Sequence, residues 1–177
     1  MMSDVAYIGL GSNIENPQTQ INTALVNMQS HEQISIQHCS HLYASAPMGP
    51  QNQPDYVNAV VKITTGLTPI ELLDVLQEIE QQHGRKRAGE RWGPRSLDLD
   101  IILFNNLNMD NDRLTLPHYG MAQREFVMVP LFEIEPDMIM QNGKTIASWV
   151  ADCSFARLRR LPGKIDLTSL IISTHKL

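Results

Sequence analysis

The sequence predicts an α+β fold, an antiparallel sheet with helices packed on it, on three observations. Short β-rich runs alternate apolar and polar residues. Two longer runs repeat their apolar residues at helical spacing. The two kinds follow one another as strand, helix, strand, strand, helix, strand. The 177 residues suffice for one domain with a sizeable core.

"VAYIGL" (Val5 to Leu10) is rich in β-formers, and "GSN" is expected to break it. Pro17 opens a helix in which Ile21, Ala24, Leu25 and Met28 share a face. Ile34 to Ser45 reads as one strand, with Ile34, Ile36 and His38 alternating against Ser35 and Gln37. "APMGPQNQPD" (Ala46 to Asp55) is a loop, because its prolines and glycine forbid regular structure. "YVNAVVKIT" is the next strand. Thr68-Pro69-Ile70-Glu71 has the form of a capping box with proline at the first helical position. The helix it opens runs through Leu72, Leu73, Leu76 and Ile79 to a stop at Gly84. A basic loop, Arg85 to Arg95, leads into a strand from Leu97 to Phe104.

This is the ferredoxin-like βαββαβ order, with both helices on one face of an antiparallel sheet. C-terminal additions follow: a hairpin-like stretch, a helix near Ala122 to Phe132 and a short helix at Thr145 to Cys153. Beyond about Arg160 no period is evident. Residues 1–160 are therefore expected to form the domain, and 161–177 a loosely packed extension of unknown role.

Composition narrows the function. A content of 42% hydrophobic and 19% charged residues argues against wholesale disorder. The net charge of -5 argues against non-specific nucleic-acid binding. Cys39 and Cys153 lie far apart in no metal-like spacing, and are expected as reduced thiols. The start of the chain shows no basic-then-apolar leader, and no apolar run approaches the roughly 18 residues that cross a bilayer. A soluble, cytoplasmic monomer without membrane or nucleic-acid partners is the expectation.

The chemistry concentrates in "ERWGPRSLDLDIILF" (Glu90 to Phe104). On a strand, Asp98 and Asp100 project together, about 7 Å apart, while Leu97, Leu99 and Ile101 point into a core. Two carboxylates on one face repel unless a cation lies between them. Oxygen ligands of this kind suit Mg²⁺, which takes its remaining ligands from water and phosphates. Before the pair come Arg85, Lys86, Arg87, Arg91 and Arg95, offset only by Glu90. Anionic pair and cationic loop together describe a cradle for a polyphosphate. The bland alternatives are an exposed polar strand face and a solvated charge run. Taken alone, Tyr56 and Phe126 would be core aromatics. Asn58 is odd inside an apolar strand, where an amide needs partners. The residues by themselves support an Mg²⁺-dependent enzyme acting on a polyphosphate.

"RWGPRSLDLDIILF" resembles the signature of the 6-hydroxymethyl-7,8-dihydropterin pyrophosphokinase family. "YIGLGSN", "GPQNQPDYVNAV", "IEQQHGRKR" and "LPHYGMAQREFVMVPL" agree with it in order, so the resemblance spans roughly residues 4–159. It implies transfer of a diphosphate from ATP to the pterin alcohol in folate biosynthesis, giving AMP. It implies Arg85, Arg95, Asp98 and Asp100 as catalytic, with Asp98 and Asp100 holding two Mg²⁺ ions. Gln77, Glu80, Arg87, Trp92, Arg95, Ile101, Arg113, Thr115, His118, Tyr119 and Arg124 fall where the family holds ATP. Tyr56 and Phe126 resemble the pair that stacks on the pterin. Asn58 resembles the residue that reads its edge, with Ser45, Ala46 and Met48 beside it. His118 is read as a phosphate contact and not as a catalytic base. Ala88, "ASAPMG" and Val129 depart from the commoner family pattern, at the basic loop, the pterin loop and the segment after Phe126. Two other readings stand beside this one. A nucleotidyltransferase or nuclease could use the same acidic pair. An RNA-binding module could share the fold, but the aromatic motif it needs is missing.

Overall fold

Strand β1 (Asp4–Ser12) lies between two antiparallel partners, and this pairing frames the rest. The computed structural model describes residues 3–84 and 94–165. Helix α1 (Pro17–Gln29) follows, then β2 (Ile34–Cys39), β3 (His41–Ser45), β4 (Tyr56–Thr65), α2 (Pro69–Gln82) and β5 (Asp98–Phe104). After these come a small hairpin of β6 (Met109–Asp110) and β7 (Thr115–Leu116), a 3-10 turn (Met121–Gln123), α3 (Glu125–Ile134), α4 (Ile146–Ala151) and β8 (Leu158–Lys164). The main sheet has the order β5-β1-β4-β3-β8, and β2 pairs another part of β4. All of its pairings are antiparallel, as the ferredoxin-like order requires.

Three expectations need correction. "GSN" does not break β1: Gly11 pairs with Asn58 on one side and Asp98 on the other. Two flanking ladders outweigh the low β-propensity of glycine. The single strand expected from Ile34 to Ser45 is two. At the break, buried Ser40 donates its N–H to the Val60 carbonyl, and its Oγ accepts the Val60 N–H, each at 3.0 Å. A hydroxyl thus substitutes for a backbone rung and lets the chain kink. The boundary at residue 160 falls inside β8, which pairs with β3. Leu161 is buried in the core, so the sheet continues at least to Lys164. Hydrophobicity inside one short edge strand is too sparse to show a period.

Each sheet face has its own core. On the first, Ala6, Ile8 and Leu10 of β1 and Ala59, Val61 and Ile63 of β4 meet Ile21, Leu25 and Met28 of α1 and Leu72, Leu76 and Ile79 of α2. On the second, Tyr7, Val60, Ile102 and Leu103 meet Val127, Met128 and Leu131 of α3 and Ile146 of α4. A bulge in β5 allocates its residues between the two. Ile8 pairs with Ile101 but Tyr7 pairs with Leu103, so Ile102 is the extra residue. Ile102 and Leu103 therefore both face α3, while Leu99, Ile101 and Phe104 face α1 and α2. The α2 capping box forms as the sequence indicates, with Thr68 N–H on Glu71 Oε2 at 2.8 Å. Cys39 and Cys153 form no disulfide among the described residues. Among the described residues no helix is long and apolar enough to cross a membrane.

Leu76 is fully buried between α2 and the sheet. Leu76→Ala is expected to lower the unfolding free energy by about 2–5 kcal/mol in urea titration. A loss below about 1 kcal/mol would show that this side chain is not a packed part of the core.

Candidate active site

Helix α3 leaves one end of the second sheet face uncovered, and a cavity of about 260 Å³ opens there. Its floor is strand β1 at Gly9 and Gly11, where a side chain would project into the space. A Cβ on Gly9 would come within 3.1 Å of Ile102 Cδ1, and one on Gly11 within 3.4 Å of Asn58 Oδ1. Both glycines thus keep the floor flat.

One wall holds aromatic and neutral polar groups. Tyr56 and Asn58 rise from β4, Ser45 ends β3, Ala46 and Met48 begin the following loop, and Phe126 projects from α3. Asn58 is 4% exposed on an interior strand, which excludes a solvated edge position. Its Nδ2 donates to Ser45 Oγ at 2.8 Å and to the Tyr43 carbonyl at 3.3 Å. The carbonyl can only accept, so it fixes the amide orientation and sets Oδ1 on the Gly11 side.

The other wall is charged. Asp98 and Asp100 stand on the same face of β5, as the alternation of the strand requires. Arg95 Nη1 donates to Asp98 Oδ1 at 3.2 Å. Asp100 Oδ2 lies 3.9 Å from both Arg124 Nη1 and His118 Nε2. Arg124 is 9% exposed; its guanidinium lies 5.7 Å from the Tyr119 ring centre and 6.0 Å from that of Phe126. Gly120 makes room for it, since a Cβ there would meet Arg124 Nε at 2.9 Å. Arg124 therefore touches both walls, with one end on the carboxylates and one flank on the aromatics.

His118 is held on two sides. Its backbone N–H donates to the Ile102 carbonyl at 2.9 Å, and its Nδ1 accepts the Gly120 N–H at 3.1 Å. That bond leaves the proton of the neutral ring on Nε2, facing Asp100. Burial, reinforced by the positive charge of Arg124, pushes its pKa down to about 4. A neutral ring with an N–H donor suits a phosphate contact and not an acid that must be charged at neutral pH.

Several residues expected to hold ATP do not line this cavity. Glu80 is 2% exposed on α2, and its Oε1 accepts the Leu99 N–H at 2.7 Å. It holds the edge strand that carries the aspartates. The Ile101 side chain belongs to the opposite core, so only its main chain could meet a ligand. Arg113 pairs with Asp74, and Thr115 Oγ1 donates to Asp110 Oδ1 at 3.0 Å. With half-buried Gln77 of α2, these residues lie along α2 and the β6–β7 hairpin and do not line the cavity. Arg85, Arg87 and Trp92 fall outside the described residues. Sequence reasoning missed Ile102, which follows Asp98 and Asp100 on the same face of β5 and lines the cavity, and Gly120, whose role depends on a neighbour four residues on.

The acidic pair fits a hard divalent cation. Its donors are carboxylate oxygens, and among the described residues no three of His, Cys, Asp or Glu converge on one point. An ion held here would draw its remaining ligands from water and from phosphate oxygens, as Mg²⁺ does.

Comparison with known proteins gives one family. The 7,8-dihydro-6-hydroxymethylpterin-pyrophosphokinase family matches residues 7–136. The chain is 51% identical over 145 residues to the 2-amino-4-hydroxy-6-hydroxymethyldihydropteridine pyrophosphokinase of Haemophilus influenzae, covering 82% of this chain and 90% of that one. It is 44% identical over 157 residues to the enzyme of the same name from Pseudomonas aeruginosa, covering 89% and 96%. A crystal structure of a Plasmodium falciparum HPPK-DHPS triple mutant with pteroate superposes with a TM-score of 0.68 at 13% identity. The match covers 89% of this chain but 46% of that longer one, and at such identity it shows the fold alone.

The environment of His118 makes a measurable claim. Its imidazole resonances are expected to titrate with a midpoint near 4, not near the ordinary 6.5. A folded pKa below the unfolded one means that the neutral ring stabilises the fold above pH 6.5, and that this is lost as pH falls toward 4. A midpoint near 6.5 by NMR would show that the ring is solvated.

Proposed function

The chain belongs to the 7,8-dihydro-6-hydroxymethylpterin-pyrophosphokinase family, and from that premise we propose how its residues carry out the transfer. The protein is a transferase, a pyrophosphokinase acting on hydroxymethyldihydropterin in folate synthesis. We take ATP as the donor and two Mg²⁺ ions as the metal requirement. The observation that carries this is the meeting of two chemistries in one cavity. A slot of Tyr56, Phe126 and Asn58 lies against a wall of Asp98, Asp100, Arg95 and Arg124.

In this reaction the pterin hydroxymethyl oxygen attacks the β-phosphorus of ATP. The bond between the β-phosphorus and the oxygen bridging it to the α-phosphorus breaks, and AMP leaves with that oxygen. The hydroxyl proton passes to solvent. Bound Mg²⁺ would lower the pKa of the alcohol and neutralise phosphate charge. Asp98 and Asp100 would hold the ions from the rigid face of β5. Tyr56 and Phe126 would stack on the flat ring, adding about 0.5–1.5 kcal/mol beyond area burial. Asn58, oriented by Ser45 and Tyr43, would offer Oδ1 to the pterin edge. Arg95, Arg124 and the neutral His118 would donate to phosphate oxygens, where charge grows in the transition state. Phosphoryl transfer depends mainly on such positioning, so a protein base is not required. The nucleoside would extend along the edge formed by α2, β5 and the β6–β7 hairpin, near Gln77, the Ile101 main chain, Arg113 and Thr115. Exchange of the Arg113–Asp74 pair for a ligand contact would cost little, because both groups are largely exposed. The same view has the protein acting on small molecules in the cytoplasm as a monomer.

Product analysis tests the transfer. With Mg-ATP and 6-hydroxymethyl-7,8-dihydropterin, AMP is expected on chromatography only when the pterin is present. Asp98→Ala and Asp100→Ala are each expected to keep the fold and lower turnover by about a hundredfold or more, the order lost with a key electrostatic group. ADP as product, or nucleotide joined to the pterin, would point instead to another phosphoryl or nucleotidyl transferase. For the pterin slot, Asn58→Ala is expected to weaken pterin binding by about threefold to tenfold, the worth of one hydrogen bond. Calorimetry should show the affinity for Mg-ATP unchanged; equal loss for both ligands would remove Asn58 from the pterin slot.

A further inference from the structure

Asn13 stands just past the end of β1, is 1% exposed, and makes four hydrogen bonds that the transfer described above does not use. Its backbone N–H donates to the Arg95 carbonyl at 3.1 Å, and the Arg95 N–H donates back to Asn13 Oδ1 at 2.9 Å. The side-chain nitrogen donates to Gln53 Oε1 and to the Pro54 carbonyl, both at 3.0 Å. Two of these partners are main-chain groups of unambiguous polarity: the Arg95 N–H can only donate and the Pro54 carbonyl can only accept. They fix which way the amide points.

The partners belong to opposite walls of the cavity. Arg95 enters β5, and its guanidinium holds Asp98. Gln53 and Pro54 end the loop that begins with Ala46 and Met48 and delivers Tyr56. That loop is tied within itself. Gln53 Nε2 donates to the Pro50 carbonyl at 3.0 Å, and Gln51 Nε2 donates to the carbonyls of Pro47 at 2.9 Å and Gly49 at 2.8 Å. A shift at Gln53 is therefore transmitted toward Met48. The role needs an acceptor and two donors on one short side chain. Ionised aspartate has no donor, serine has one, and glutamine is a methylene too long.

We propose that Asn13 is a positioning residue that couples the two substrate subsites, setting the phosphate-side Arg95 and the pterin-side loop in register through one buried amide. The identity of the two substrates rests on the pyrophosphokinase reading above; the bridge itself does not.

Hydrogen exchange on the ligand-free protein tests the bridge without any substrate. In Asn13→Ala the amides of residues 95–97 and those of 51–56 other than Pro54 are expected to exchange faster together. In Asn13→Asp, which keeps the acceptor for Arg95, only 51–56 should open. Gln53→Ala, which leaves the buried amide in place, should also open only 51–56, and it serves if the Asn13 variants do not fold. Unchanged exchange at 51–56 in Gln53→Ala, or opening of only one segment in Asn13→Ala, overturns the bridge. Kinetics tests the coupling. Asn13→Ala is expected to lower kcat by about tenfold to a hundredfold, as a small misplacement of a reacting group does. Asn13→Asp should raise the KM for pterin and leave that for ATP. A lowered Tm with unchanged kcat and KM would show a purely structural residue and overturn the coupling. If the wild-type protein made no pterin-dependent AMP, the transfer reading would fail while exchange still decided the bridge.

Discussion

Helix α3 covers only part of the second sheet face, and Ile102 of β5 stands where the core gives way to the cavity. On the α3 side of the bulge, Ile102 and Leu103 both supply core. On the other side, Asp98 and Asp100 keep strict alternation with Leu99 and reach the cavity. With strict alternation past Ile101, Leu103 and Phe104 would exchange faces, so the bulge decides which core each one joins. One strand thus supplies two hydrophobic cores and a carboxylate pair. The Ile102 carbonyl also anchors His118, so the position that ends the core begins the charged wall.

A partly covered face requires α3 to be held firmly at its covered end. Apolar packing does most of this, and a polar belt completes it. Tyr43 Oη and the His41 backbone N–H donate to Glu133, at 2.7 and 3.1 Å. Tyr7 Oη and Lys62 Nζ meet Glu135 Oε2 at 2.8 and 2.6 Å. Burial alone would raise the pKa of both glutamates, but these donors outweigh it and lower them. Burial and the adjacent carboxylates push both tyrosines up, so their hydroxyls remain donors. The belt fixes the last turn of α3 against β1, β3 and β4, while its first turn presents Phe126 and follows Arg124.

Charge at the site is set by what surrounds the acidic pair. Arg95 approaches Asp98, Arg124 approaches Asp100, and His118 is kept neutral, so it adds a donor without adding charge. Arg124 also lies against the rings of Tyr119 and Phe126, which ties the charged wall to the aromatic wall on one side of the cavity. Asn13 makes the corresponding tie on the other. The two subsites thus share supports at both ends.

Much of this was legible in the residues. The α2 capping box, the helical stripes of α1 and α2 and the alternation around Asp98 and Asp100 are local patterns. They depend on side chains a few positions apart, which the chain determines by itself. The ordered motifs likewise identified the family and the acidic pair. Other features arise only when distant segments meet. Ser40 splits a strand because it replaces a rung opposite Val60. Glu80 accepts the Leu99 N–H because α2 packs along the edge of β5. β8 joins the sheet because β3 offers it an edge. The bulge at Ile102 and the four bonds of Asn13 have no periodic signature at all. Periodicity records which face a residue shows; which partner meets it there is decided by backbone hydrogen bonds and buried polar groups that must be satisfied across the fold, and only the tertiary structure settles those.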